Sequence, residues 1–165
     1  MFRELRRKKQ LLPENLTREI LAQGVTGVLG VSGDDGYPYA VPLNYAYAEN
    51  TIYFHCAKAG HKLDAIRRND KVSFCVIDKE DIVPEAFTTY FRSVIAFGRA
   101  AEVTEDDEKL RAIRLLNRKY APGLEEKGEN EIKKEWNILS IVRIGIEHMT
   151  GKQAIELMNK PGPVA

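Results

Sequence analysis

Cysteine is almost missing from this 165-residue chain: Cys56 and Cys75 are the only two. Each sits in an apolar, β-type run, which suits a buried free thiol in a reducing compartment, although sequence alone leaves a pairing of the two open. No apolar stretch approaches the length that crosses a bilayer. Excess charge of one sign is also lacking. The 25 basic and 24 acidic side chains leave a formal charge of +1, which gives no bulk reason to bind nucleic acid. The one concentrated basic run, MFRELRRKKQ, lacks the apolar core and cleavage site of a signal peptide, and its early acid fits a transit peptide poorly. A solvated surface arm is expected there. GxGxxG and GxxxxGK[ST] are both absent, so neither phosphate-binding argument that rests on them applies. With no internal repeat or linker, a single cytoplasmic domain over residues 1–165 is expected, long enough to bury a core.

What is present is concentrated between Tyr37 and Asn69. Two extended runs, Tyr39–Ala48 and Thr51–Cys56, flank Glu49-Asn50, a spacing that predicts a hairpin. Alternation sends Val41, Leu43, Tyr45 and Tyr47 to one face and Ala40, Pro42, Asn44 and Ala46 to the other. Proline has no N–H to give a ladder, so Pro42 marks an edge, a bulge or an opening. The small, polar face around it suits either a flat ring lying against backbone or a simple kink. The second run leads through Ala57-Lys58-Ala59-Gly60-His61-Lys62 into a helix over Lys62–Arg68. Backbone donors at a helix start, a glycine permitting close approach and Lys62 beside them fit a phosphate; a solvated helix cap fits the same residues.

The rest of the chain supplies a frame. Pro13-Glu14-Asn15 opens a helix through Gln23; Val25–Ser32 is a strand, and Gly33–Gly36 a turn. Lys71–Ile77 is a strand, Asp78–Phe87 a loop, and Thr88–Val103 a long strand with a bulge or bend at Gly98. Thr104 caps a helix that turns Leu110, Ile113, Leu115 and Leu116 inward and ends near Ala121. Leu124–Trp136 is a charged, irregular helical stretch, and Ile138–Glu147 the last strand. The tail passes Thr150-Gly151-Lys152 and a short helical turn to a frayed PGPVA. The class is mainly β with flanking helices (α+β). An antiparallel barrel and an open α+β sheet both satisfy the pattern.

Little conventional catalytic apparatus is visible. His55, Cys56 and His61 match no common zinc spacing, and no metal site is expected. Alternation puts His55 and Cys56 on opposite faces, so they make no nucleophile–base pair. His55 alone suits a proton donor or a packed histidine. Arg92, inside a strand with Ser93 beside it, should reach solvent or meet an anion. Trp136 reads as core. Tyr39, Tyr45, Tyr47, Tyr53 and Phe54 read as barrel packing or dimer surface, not as a nucleic-acid stacking platform.

PYAVPLNYAY, IYFHCAKAGHKLDAIRRN and TTYFRSVIAFGRA resemble the nitroimidazole-resistance branch of the pyridoxamine 5'-phosphate oxidase-like flavoproteins, the FMN-binding split β-barrel superfamily. The likeness runs in order from Met1 to Met149–Ala154. It implies an antiparallel split barrel, FMN as cofactor, and a homodimer with the cofactor near the subunit interface. It implies contacts to the ring from Val41, Pro42, Leu43 and Asn44, and further contacts from Phe54, His55 and Cys56. Lys58, Gly60, His61 and Lys62 would hold the phosphate. Arg92 and Ser93 would add contacts, often across the subunit boundary, and His55 would be the active-site residue. The implied activity is an FMN-dependent oxidoreductase acting on a small planar or nitroaromatic compound, with electrons from another flavin or a transiently bound reduced nicotinamide. No nucleic-acid or membrane partner is expected. Alternatives are pyridoxamine-phosphate oxidation, whose late basic pocket is not evident here, use of a deazaflavin, and a non-catalytic flavin or haem protein with His55 or His61 as ligand.

Overall fold

The computed structural model describes residues 2–158; the expected fraying of PGPVA lies outside them. In chain order the elements are α1 (Glu14–Gln23), β1 (Thr26–Ser32), β2 (Pro38–Asn44), β3 (Ala46–Ala48), β4 (Thr51–Ala57) and α2 (His61–Arg68). They continue as β5 (Lys71–Val83), β6 (Thr88–Glu102), α3 (Asp106–Tyr120), α4 (Glu125–Glu135), β7 (Leu139–Gln153) and α5 (Ile155–Met158). The seven strands form one antiparallel sheet in the order β2-β1-β5-β6-β7-β4-β3.

That order dictates the shape. β2 and β3 are the outermost strands, yet only Tyr45 separates them in the chain. A residue spans about 3.5 Å, so the sheet must curl until its two ends meet. The barrel is closed there by the chain itself and not by a hydrogen-bonded ladder, which leaves a split.

The expected continuous strand Tyr39–Ala48 is therefore two strands. Alternation holds in β2, where Tyr39, Val41 and Leu43 are the more buried side chains. It carries on past the end of β2: Tyr45 and Tyr47 join Val41 and Leu43 at the inner core, and Ala46 is buried on the other face. Tyr45 enters the barrel interior, edge-on to Phe74 at 4.8 Å, and its hydroxyl donates to the Leu21 carbonyl at 2.6 Å. Ala46 belongs instead to a second core under α3 and α4. Consecutive residues thus serve different cores on opposite faces, as alternation expects; what divides the strand is its pairing, with β1 up to Asn44 and with β4 from Ala46. The other local readings of this stretch hold. Glu49 and Asn50 both have positive φ, as a tight hairpin turn requires, and Pro42 lies on an outer strand, where its missing N–H is tolerated.

The inner core gathers Ile20 and Leu21 of α1 with Leu29, Ile52, Phe54, Phe74, Val76 and Val94, so α1 plugs the barrel. Outside, Ala112, Ile113 and Leu116 pack with Ile132 and Ile141, and Leu110, Leu115 and Trp136 adjoin them. The Lys109 ammonium lies 4.3 Å over the Trp136 ring.

Two boundaries differ from expectation. The segment Asp78–Phe87 is not a loop: β5 and β6 stay paired out to Val83 and Thr88, forming a hairpin arm. Its charged residues disguised a two-stranded ribbon whose side chains mostly meet water. β7 likewise runs on past Glu147, because Met149–Gln153 keep pairing with β6. Gly98 does sit at a register shift, and a Cβ there would fall 2.2 Å from the Gly145 carbonyl oxygen. The basic arm is anchored rather than wholly solvated: Phe2 stacks on His148 at 4.8 Å and on Phe97 at 5.5 Å.

Candidate functional site

The split exposes main chain. Among the described residues β2 has only β1 as a partner, so its other edge is unpaired there. β4 pairs with β7 throughout, but β3 covers it only over Thr51–Tyr53. Phe54–Ala57 therefore present backbone groups with no strand partner on that side. Val41, Pro42, Leu43 and Asn44 lie along the first open edge, and Phe54, His55 and Cys56 along the second. Their side chains divide by face. Val41, Leu43 and Cys56 pack against the inner core, and Phe54 is fully buried, so only its main chain is open to a ligand. Pro42, Asn44 and His55 face outward. The Asn44 amide donates to the Val25 carbonyl at 3.1 Å.

α2 begins where β4 ends. Gly60 takes φ 134° and ψ 163°, a conformation that strains any residue with a Cβ, although the space beside it is empty. Its carbonyl accepts from the amides of Leu63 and Asp64 at 2.9 and 3.2 Å. The amides of His61 and Lys62 have no intrahelical acceptor, and no side chain caps them. Lys62 makes no ion pair among the described residues, and Lys58 is exposed. The Lys62 charge reaches back to β4. The surrounding protein lowers the His55 pKa by desolvation even though part of its surface is open, and Lys62 lowers it further. Burial raises the Cys56 thiol, with Lys62 opposing, which leaves a protonated thiol rather than a nucleophile. His61 turns the other way. Its ring stacks on Tyr39 at 4.2 Å, and Nε2 lies 3.4 Å from the Asp34 carboxylate. Arg67 is held by Glu102 at 2.7 Å and Arg68 by Asp34, so both helix arginines are already paired.

Arg92 and Ser93 are not brought to this place. Arg92 is ion-paired with Asp78, and both side chains are nearly buried, 13% and 11% exposed. On β7, Arg92 and Ser93 face Gln153 and Lys152, whereas His55 and Cys56 face Ile141 and Ser140. That offset is roughly 40 Å of extended strand. One chain cannot present both sets to a single small ligand.

Sequence reasoning missed the end of α3. The Tyr120 hydroxyl accepts from the Tyr45 amide at 2.9 Å and lies 2.6 Å from the Val25 carbonyl and 2.7 Å from that of Tyr45. The Lys119 ammonium donates to the Gly24 carbonyl at 2.6 Å and sits 4.2 Å over the Tyr45 ring; desolvation brings its pKa down to about 8. Lysine and tyrosine at a polar helix end carried no sign of these distant partners. Two surface grooves, of about 580 and 790 Å³, contain none of the candidate residues.

An antiparallel barrel split at one seam, with bare strand edges and a basic helix start beside the seam, is a split β-barrel. The chain belongs to the pyridoxamine 5'-phosphate oxidase family, whose model matches residues 14–153. Among solved structures, a conserved hypothetical protein of Mycobacterium tuberculosis superposes with a TM-score of 0.81 at 20% identity, over 98% of this chain and 97% of that one. A protein of Bacteroides thetaiotaomicron VPI-5482 assigned to 5-nitroimidazole antibiotic resistance gives 0.70 at 21% identity, over 87% and 86%. An FAD-binding protein of Mesorhizobium loti gives 0.64 at 26% identity, over 88% and 97%. No described helix is long and apolar enough to cross a membrane.

Proposed function

We propose that the protein is an FMN-dependent oxidoreductase that reduces a small planar or nitroaromatic compound and works as a cytoplasmic homodimer. The observation that carries this reading is the uncapped start of α2, where the open amides of His61 and Lys62 stand at the end of the bare β4 edge that bears His55. The donor set suits the cofactor. A phosphate needs several N–H groups and a cation, which the amides of His61 and Lys62 and the Lys62 ammonium supply, with Lys58 near. The ring's polar edge would meet Asn44 and the bare main chain of Val41–Leu43 and Phe54–Cys56. When bound, the flavin supplies the hydride and electron chemistry; the protein binds, orients and excludes water. His55, its pKa below the ordinary histidine range, is mostly neutral at pH 7. Neutral, it would offer a substrate its N–H, and the protonated fraction able to deliver a proton to reduced substrate grows as pH falls. Electrons would come from a reduced nicotinamide resting transiently on the ring, since no dinucleotide fingerprint provides it a site of its own.

A homodimer reconciles the two separated sets of candidates. Arg92 and Ser93 belong beside a flavin only if they reach one held by the other protomer. The exposed apolar residues Ile77, Ile82 and Ile95 lie on the same β5–β6 pair, with Phe87 in the turn that joins the strands, and would be covered in such an assembly. FAD in place of FMN is the second reading, supported by the FAD-binding protein that is 26% identical.

Absorbance of the protein as purified identifies a flavin, and the mass of the released cofactor separates FMN from FAD. Reduction of a nitroaromatic by NADH or NADPH then tests for turnover. The Lys62 contact is charge-assisted, worth about 1.5–3 kcal/mol. Lys62→Met should therefore weaken FMN roughly ten- to a hundredfold and leave riboflavin nearly unchanged. An equal loss for both ligands would put the phosphate elsewhere.

A further inference from the structure

The candidate ring contact Asn44 is already occupied: its amide donates to the Val25 carbonyl at 3.1 Å. The amide has a second N–H and its Oδ1 to spare, but a ring that turns the whole group away takes the first N–H from Val25 O, which then needs another donor in a place the ligand would shield from water. The Tyr120 hydroxyl is 2.6 Å from that same oxygen. It is also 2.7 Å from the Tyr45 carbonyl, while it accepts from the Tyr45 amide at 2.9 Å. A hydroxyl has one proton and here faces two carbonyls, so it can favour only one at a time or share weakly between both.

We propose that Tyr120 is a positioning residue for the flavin site, acting through Asn44. This rests on the flavin reading above. Without ligand, Asn44 serves Val25 O and the Tyr120 proton serves the Tyr45 carbonyl. With flavin bound, the Asn44 amide turns to the ring and the Tyr120 proton swings to Val25 O. No covalent bond changes and no proton leaves its oxygen; the hydroxyl only rotates. The Tyr45 amide stays bonded to the hydroxyl oxygen in both states, so the crossover between β2 and β3 is held throughout. Lys119 supports the same place by binding the Gly24 carbonyl, the residue before Val25. α3 thereby acts at the seam from outside the barrel.

The test is a flavin-fluorescence titration of wild type, Tyr120→Phe, Asn44→Ala and the double variant with riboflavin and FMN. Because the effect works on the ring, Tyr120→Phe should weaken both ligands equally, by about two- to tenfold, the worth of one hydrogen bond. In the Asn44→Ala background the same change should cost nothing more. Additive losses would show a purely structural role and overturn the proposal, as would an unchanged affinity in Tyr120→Phe. Side-chain amide NMR of the wild type decides even if Tyr120→Phe folds poorly. The Asn44 Nδ2 signals should shift on saturation with riboflavin, and signals that stay in place refute the mechanism. A wild type that binds no riboflavin at all refutes the flavin reading itself. Loss of FMN in Lys62→Met with no effect in Tyr120→Phe refutes this inference alone.

Discussion

Replacing Asp78 by asparagine isolates the one interaction that decides what Arg92 is for. Asp78 stands at the bulge between Ile77 and Lys79, and the irregularity lets its carboxylate meet the Arg92 guanidinium across the arm. The two side chains are 11% and 13% exposed, so solvent screening is slight and the pair behaves nearly as a buried one. Asparagine keeps the shape but leaves the cation without a counter-charge. Stranding a fully buried charge costs about 3–5 kcal/mol; with some water still in reach, about 2–4 kcal/mol is expected here. At a urea slope of about 2 kcal/mol/M, the unfolding midpoint should fall by roughly 1–2 M.

The assay is urea denaturation followed by circular dichroism, with Arg92→Met alone and the double variant Asp78→Asn/Arg92→Met beside it. Removing both charges should recover much of the loss, since two neutral groups no longer carry a desolvation cost. A midpoint shift under about 0.3 M for Asp78→Asn would mean that the guanidinium is well solvated. Arg92 would then be a free cation able to take an anionic ligand, and its structural reading here would be wrong.

Lys119 makes stability depend on pH. Its folded pKa of about 8 lies below the ordinary 10.5, so between those values the unfolded chain binds more protons and stability should rise with pH, a slope that Lys119→Met removes in melts taken from pH 7 to 10.5. Gly60→Ala, at φ 134°, should cost about 1–3 kcal/mol and weaken FMN more than riboflavin; equal stability would show that the turn adapts freely. His55→Ala should lower nitroaromatic turnover while the flavin dissociation constant holds, whereas lost flavin with normal specific activity after reloading would make His55 a cofactor contact only. Sedimentation of flavin-loaded protein at micromolar concentration should show a dimer, and a sole 18.7 kDa species would contradict it.

The parts of the site that the sequence reveals are those fixed by near neighbours. A hairpin turn at Glu49-Asn50, a proline that excludes a central ladder, and a glycine before a basic helix all follow from local chemistry. What it hides depends on distant partners. Tyr45 and Ala46 look like successive residues of one strand; only the pairing, with β1 up to Asn44 and with β4 from Ala46, reveals that the chain changes partner there. Phe54 looks like a possible ring contact until the inner core closes over it. Arg92 looks free until a bulge 14 residues earlier turns Asp78 toward it. Tyr120 finds its partner Tyr45 at a separation of 75 residues. The seam is where these long separations meet, because a barrel closed by one residue has no ladder there to satisfy its backbone. Some side chain must supply the missing hydrogen bonds, and it can come from anywhere in the chain. Here it comes from α3, a helix whose own sequence reports only its buried stripe, and that is why the side chains at the seam make contacts that periodicity cannot show.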